Sequence, residues 1–141
     1  METTGKEIIT VSTRINAPVD KVWQYWNDPE AIKQWYYASD DWHAPHAEND
    51  LKTDGKFKIS MAAKDGSFSF DYEGVYSNVE ENKKMEFAIA DGRKVTILFS
   101  AEGNETTVTE MFEAESTHSA DMQKQGWQAI MDNFKKFVER Q

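Results

Sequence analysis

Ser119-Ala120-Asp121-Met122-Gln123-Lys124-Gln125-Gly126-Trp127-Gln128-Ala129-Ile130-Met131-Asp132-Asn133-Phe134-Lys135-Lys136-Phe137-Val138-Glu139-Arg140 is the stretch that decides the architecture. Met122, Trp127, Ile130, Met131, Phe134, Phe137 and Val138 fall on one stripe at the helical period. Ser119 suits an N-cap with Asp121 in the first turn, and Lys135, Lys136 and Arg140 suit the negative C-terminal end. A helix of about 20 residues reaches some 30 Å at 1.5 Å per residue, enough to span a sheet. Gly126 in its interior costs about 0.8–1.0 kcal/mol against alanine, so a close approach of backbone to sheet is expected there.

The residues before this helix change period from 3.6 to 2. Phe57, Ile59 and Met61 alternate, then Phe68, Phe70 and Tyr72 beyond an Asp65-Gly66 turn, which predicts a hairpin. Glu80 to Lys84 is a polar turn, followed by Met85, Phe87 and Ile89 up to Asp91-Gly92, and then by Val95, Ile97 and Phe99. Gly103-Asn104-Glu105 turns the chain into Thr107 to Glu115, where Val108, Glu110 and Phe112 share one face and Thr109 and Met111 the other. The result is a continuous antiparallel meander.

Further back, Glu7 to Ile15 reads as a first strand from Ile9, Val11 and Ile15. Asn16-Ala17-Pro18 ends it, and Pro18 with Asp20 opens a short helix bearing Val22, Trp23 and Trp26. Asp28-Pro29-Glu30 opens a second, with Ile32 and Trp35 on its apolar side. Residues 36–54 are irregular, aromatic and acidic, with an edge strand as one part because Pro45 is tolerated there. No repeat, linker or low-complexity run divides residues 1–141, so a single α+β domain is expected.

That order of elements, together with Asn16-Ala17-Pro18-Val19-Asp20-Lys21-Val22-Trp23 and Gly126-Trp127-Gln128-Ala129-Ile130-Met131-Asp132-Asn133-Phe134, resembles the family of Hsp90 ATPase activator homologues in the START-like superfamily. Asn49-Asp50-Leu51, Gly55-Lys56-Phe57, Asp65-Gly66-Ser67, Gly74-Val75-Tyr76, Asp91-Gly92-Arg93 and Thr107-Val108-Thr109-Glu110 extend the resemblance over nearly the whole chain. It implies the helix-grip (Bet v-like) fold: a curved antiparallel sheet wrapped around a long C-terminal helix, with two short helices after the first strand. It also implies a cavity between the concave face and that helix, used elsewhere in the superfamily for lipids, hormones and polyketides. The co-chaperone role that names the family belongs to larger proteins with an added chaperone-binding domain, which is not expected in these 141 residues.

Composition narrows the partners. Acidic residues outnumber basic ones 25 to 16, a net charge of -9 that repels nucleic acid and anionic lipid. Lys83-Lys84 and Lys135-Lys136 are pairs, not a binding stripe. The absence of cysteine removes disulfides and thiolate chemistry. Met1 to Thr10 is polar and carries no apolar segment, so neither a signal peptide nor a membrane anchor is expected and the cytoplasm is the default location.

No phosphate loop, dinucleotide fingerprint, metalloprotease helix or nucleophile elbow is present, so no catalytic residue and no cofactor are assigned. His43 and His46 lie in a polar loop and would leave a metal short of ligands, and His118 precedes the last helix as an exposed or capping residue. The expected ligand-binding set is Trp42, Met61, Phe70, Tyr72, Phe99, Glu110, Trp127 and Met131, with Trp127 and Met131 facing the sheet. Methionines in such a wall adapt to several flat molecules, or fill the space altogether. Alternation leaves Glu110 two positions, outward beside a partner or inward, where an unpaired carboxylate costs several kcal/mol or takes up a proton. Three functions compete: a binding module for a small apolar molecule, a chaperone-associated stress-response protein acting through its surface near Trp35 to Trp42, and a cyclase- or hydrolase-type enzyme using Glu110.

Overall fold

The computed structural model describes residues 7–141. The reading of the polar start therefore lies, over residues 1–6, outside the described residues. The chain runs β1 (Ile8–Ile15), α1 (Val19–Asn27), α2 (Pro29–Trp35), β2 (Trp42–Asn49), β3 (Lys56–Ala63), β4 (Ser69–Glu80), β5 (Lys84–Ile89), β6 (Lys94–Glu102), β7 (Glu105–Glu113) and α3 (Ala120–Glu139). All strands join one antiparallel sheet in the order β1-β7-β6-β5-β4-β3-β2. This is the helix-grip arrangement, with a curled sheet, two short helices after the first strand and a long final helix.

Local signals account for most boundaries. Asp28 caps α2 by accepting a hydrogen bond from the Glu30 amide, and Ser119 caps α3 by accepting one from the Met122 amide. Pro18 stands one residue before α1 as its N-cap. Pro45 falls in the edge strand β2, at a register shift between His43 and His46. The β3–β4 hairpin runs longer than the alternation suggested, because β4 continues past Gly74 to Glu80 with a second register shift between Tyr76 and Asn78. Gly74 is required there: a Cβ would stand 2.7 Å from the Ala88 carbonyl oxygen and 2.8 Å from the Phe57 ring.

Trp26, Trp35 and Phe134 meet with ring centroids 4.6–4.9 Å apart, tying α1, α2 and α3 to one another. Trp23 and Trp26 meet Phe99 of β6 edge-on. α3 lies along the β1 margin of the sheet: the Gln128 side-chain amide donates to Ser12 O, Lys135 Nζ to Arg14 O, and Glu139 accepts from the Asn16 amide. On the concave side α1 and α2 face β3 to β7 across a small cavity.

Two expectations for α3 are corrected. Met122 is 60% exposed, and the residue buried in that turn is Gln123, whose amide donates to His118 O and Glu115 O while its oxygen accepts from the Glu115 amide. Gly126 makes no close approach, since a Cβ there would meet nothing within 4 Å.

Candidate functional site

Glu110 is the centre of the site because of its register. It pairs with Val11 on one side and Ile97 on the other, and its neighbours along the strand face, Val108 and Phe112, are fully buried. The face carrying these residues is therefore the concave one, and Glu110 is carried inward with 5% exposure. Among the described residues its carboxyl makes no hydrogen bond or ion pair. Burial alone pushes its pKa up to about 8, so the carboxyl is mostly protonated at neutral pH.

The carboxyl opens onto a cavity of about 30 Å³. β3 and β4 supply Ile59 and Tyr72, β5 and β6 supply Met85, Phe87 and Ile97, and α1 and α2 cover it with Trp26, Ile32 and Tyr36. Such a space takes about two waters and is roughly a tenth of an ordinary small-molecule site or less. The Tyr36 and Tyr72 rings stack at 5.9 Å, and their hydroxyls lie beside each other. The Tyr72 hydroxyl is fully buried without a hydrogen-bond partner of standard geometry. Burial raises both phenols well above their usual range; the Glu110 charge adds to this at Tyr36, and Tyr36 and Glu110 add to it at Tyr72. Both hydroxyls therefore keep their protons at any physiological pH.

At the other end the wall is fully satisfied. Tyr76 donates to the Asn49 side-chain oxygen at 2.6 Å, and the Asn49 amide donates to Asn27 O at 2.9 Å. Asn27, buried at the end of α1, in turn donates to Trp23 O. Exposed Glu48 also borders the cavity, so its outlet lies beside this network, between the α1–α2 junction and β2.

The structure thus brings only part of the expected set together. Tyr72 and Glu110 line the cavity. Met61, Phe99 and Met131 are buried core residues outside it, and Phe99 is taken up by Trp23 and Trp26. Trp127 is half-buried and stacks on Phe112 at 3.7 Å, touching Tyr72 edge-on at 6.1 Å. Phe70 is on the concave side by register, opposite Met61, but it lies near the hairpin end and is 43% exposed. There it joins Trp42 and Phe68, each ring 6.0 Å from the next, in a surface cluster away from the cavity. No residue of α3 lines the cavity, because that helix is drawn to the β1 margin. Sequence reasoning missed Tyr76, Asn27 and Asn49, and it left Tyr36 outside the binding set, as part of an aromatic loop read either as a surface or as an inward-folding lid.

No histidine lines the cavity. His46 meets Glu48 at 2.6 Å, and His118 pairs with Glu115 outside the cavity. Among the described residues no three His, Asp or Glu side chains are placed to hold a metal ion, and no helix is long and apolar enough to cross a membrane.

A solved AHSA1-like protein from Aeromonas hydrophila is 42% identical, with a TM-score of 0.89 over 95% of this chain and 93% of its own. A protein from Cytophaga hutchinsonii is 48% identical, with a TM-score of 0.82 over 94% of this chain and 92% of its own. One from Nitrosomonas europaea, at 16% identity and a TM-score of 0.80 over 94% of both chains, shares the fold alone. No curated protein matches. Residues 16–139 match the description "Activator of Hsp90 ATPase homolog 1-like protein", and to that family the chain belongs.

Proposed function

We propose that the protein is a binding module that takes up a small, largely apolar molecule on the concave face beneath α1 and α2, against Tyr72 and Glu110. The observation that carries this reading is the Tyr72 hydroxyl, buried without a hydrogen-bond partner of standard geometry and facing the same internal space as the buried Glu110 carboxyl. Leaving such a group unpaired costs about 1–3 kcal/mol, and a guest that fills the hydrogen bond recovers it. The helix-grip fold, which often encloses ligands, supports the same reading. Uptake requires the cavity to widen. Met85, a flexible side chain in the wall, can adapt to a guest.

Flat hydrophobic probes tested by amide-shift NMR should perturb β4 and β7 near Tyr72 and Glu110 together with Asn27 and Tyr36. At a hundredfold excess over Kd, binding stabilises by about 2.7 kcal/mol and raises the melting temperature accordingly. Shifts confined to Trp42, Phe68 and Phe70 would overturn the reading.

A second reading, a chaperone-associated protein acting through its surface, is favoured by that same exposed cluster, in which Phe68 is 58% and Phe70 43% exposed. Stimulation of Hsp90 ATPase activity that disappears in a Phe68→Ser, Phe70→Ser double variant of unchanged stability would establish it.

A further inference from the structure

We infer that the molecule bound beneath α1 and α2 presents a carbonyl oxygen on a flat apolar frame to three O–H donors, the hydroxyls of Tyr36 and Tyr72 and the carboxyl proton of Glu110. This rests on the binding-module reading and specifies the polar end of its ligand.

The three groups come from separate elements: Tyr36 from the end of α2, Tyr72 from β4 and Glu110 from β7. They reach one space; Ile59, Met85, Phe87 and Ile97 make its apolar wall, and the polar side chains Asn27, Asn49, Tyr76 and Glu48 stand toward its outlet. A tyrosine hydroxyl and a protonated carboxyl each hold one proton to give. The Tyr72 hydroxyl interacts with Tyr36 but makes no hydrogen bond of standard geometry, and the Glu110 carboxyl makes none among the described residues, so this end of the cavity holds donors to spare. An acceptor oxygen, whose two lone pairs take two of these donors, is the complement to such a set. An ammonium group is not: it brings further donors and requires Glu110 to be charged, against the burial that keeps it neutral.

Other charges near the site do not reverse this balance. Tyr76 on β4 is committed to Asn49, Glu48 on β2 sits at the exposed outlet, and Arg93 on the β5–β6 turn acts on Tyr72 from outside. α1, α3, β1, β5 and β6 place no titratable side chain on the cavity. The carboxyl can donate only while protonated. The preference for a carbonyl therefore weakens as pH rises through about 8.

The test uses three probes of one frame: ethylbenzene, acetophenone and 1-phenylethylamine, titrated into the labelled full-length protein and followed by amide shifts of β4 and β7. Acetophenone should bind about tenfold more tightly than ethylbenzene at pH 6.5, the scale of one to two recovered hydrogen bonds, with the amine weakest. The advantage should shrink above pH 8. Glu110→Gln, which keeps an N–H donor at every pH, should retain it without the pH dependence. Tyr72→Phe should lose most of it, read as the ratio of acetophenone to ethylbenzene affinity within that one variant. Equal binding of ethylbenzene and acetophenone, or preference for the amine, overturns the inference and leaves the binding module standing. Failure of all three probes to bind overturns the module, and the inference with it.

Discussion

Replacing Glu110 by glutamine should change the pH dependence of stability in a direction opposite to ordinary carboxylates. In the folded protein the carboxyl keeps its proton up to about pH 8, whereas in the unfolded chain it loses it near the usual 4.5. Between those values the folded state binds the extra proton, so raising the pH favours unfolding. The contribution is present in full below about pH 4.5 and is gone above about pH 8. At 1.36 kcal/mol for each tenfold difference in proton affinity it amounts to roughly 5 kcal/mol, an upper value because local opening that hydrates the carboxylate caps the loss. Glu48, Asp65, Glu80 and Glu115 have lowered pKa values from their hydrogen bonds, and they act with the opposite sign at lower pH. Being common to both proteins, they cancel in the comparison. Urea titrations followed by tryptophan fluorescence at intervals from pH 5 to 9 should show E110Q and the wild type nearly equal at pH 5, diverging to several kcal/mol in favour of E110Q by pH 8. Curves separated by a constant amount across that range would refute the buried, protonated state.

Two further substitutions probe α3. Gly126→Ala should stabilise the protein by about 0.8–1.0 kcal/mol in a denaturant titration, since a Cβ there meets nothing within 4 Å and alanine is the better helix former. Trp127→Ala should cost about 2 kcal/mol in the same assay, less than the 3–5 of a fully buried tryptophan, because one side of the ring stacks on Phe112 while the other is partly open.

The fold was readable because two periods do not resemble each other. Strict alternation from Phe57 through Phe112 and the 3.6-residue stripe from Trp127 to Val138 each match one element type, and the caps at Asp28 and Ser119 mark where helices begin. Where polar residues and a glycine interrupt the alternation, at Glu73 to Ser77, the length of β4 was not readable: its outer face is solvated, and Gly74 answers to a contact with Phe57 from another strand. The stripe on α3 showed which side of the helix is buried but not which strands it faces. That depends on hydrogen bonds from Gln128, Lys135 and Glu139 to β1 and the segment after it, more than a hundred residues away in sequence.

The site shows the same division between what a strand dictates and what a fold assembles. Alternation alone placed Glu110 with Val108 and Phe112, so its burial follows once that face turns inward. Tyr72 reaches the same space by alternation on β4, but Tyr36 does so only because the Trp26–Trp35–Phe134 contact holds the end of α2 over the sheet, a consequence of tertiary packing that no local window contains. Phe70 obeys the same alternation as Tyr72 yet ends in the surface cluster with Trp42 and Phe68, because it lies nearer the hairpin end, outside the cover that α1 and α2 provide. A leucine at position 110 would fit the apolar surroundings of Val11 and Ile97 without the desolvation cost of an acid. A buried carboxyl between two apolar strands, beside an unpartnered phenol, is a place where the local packing preference is broken without any compensating bond inside the protein. Such breaks are expected at functional sites, and in the proposed binding module a guest with an oxygen acceptor would supply the missing bond.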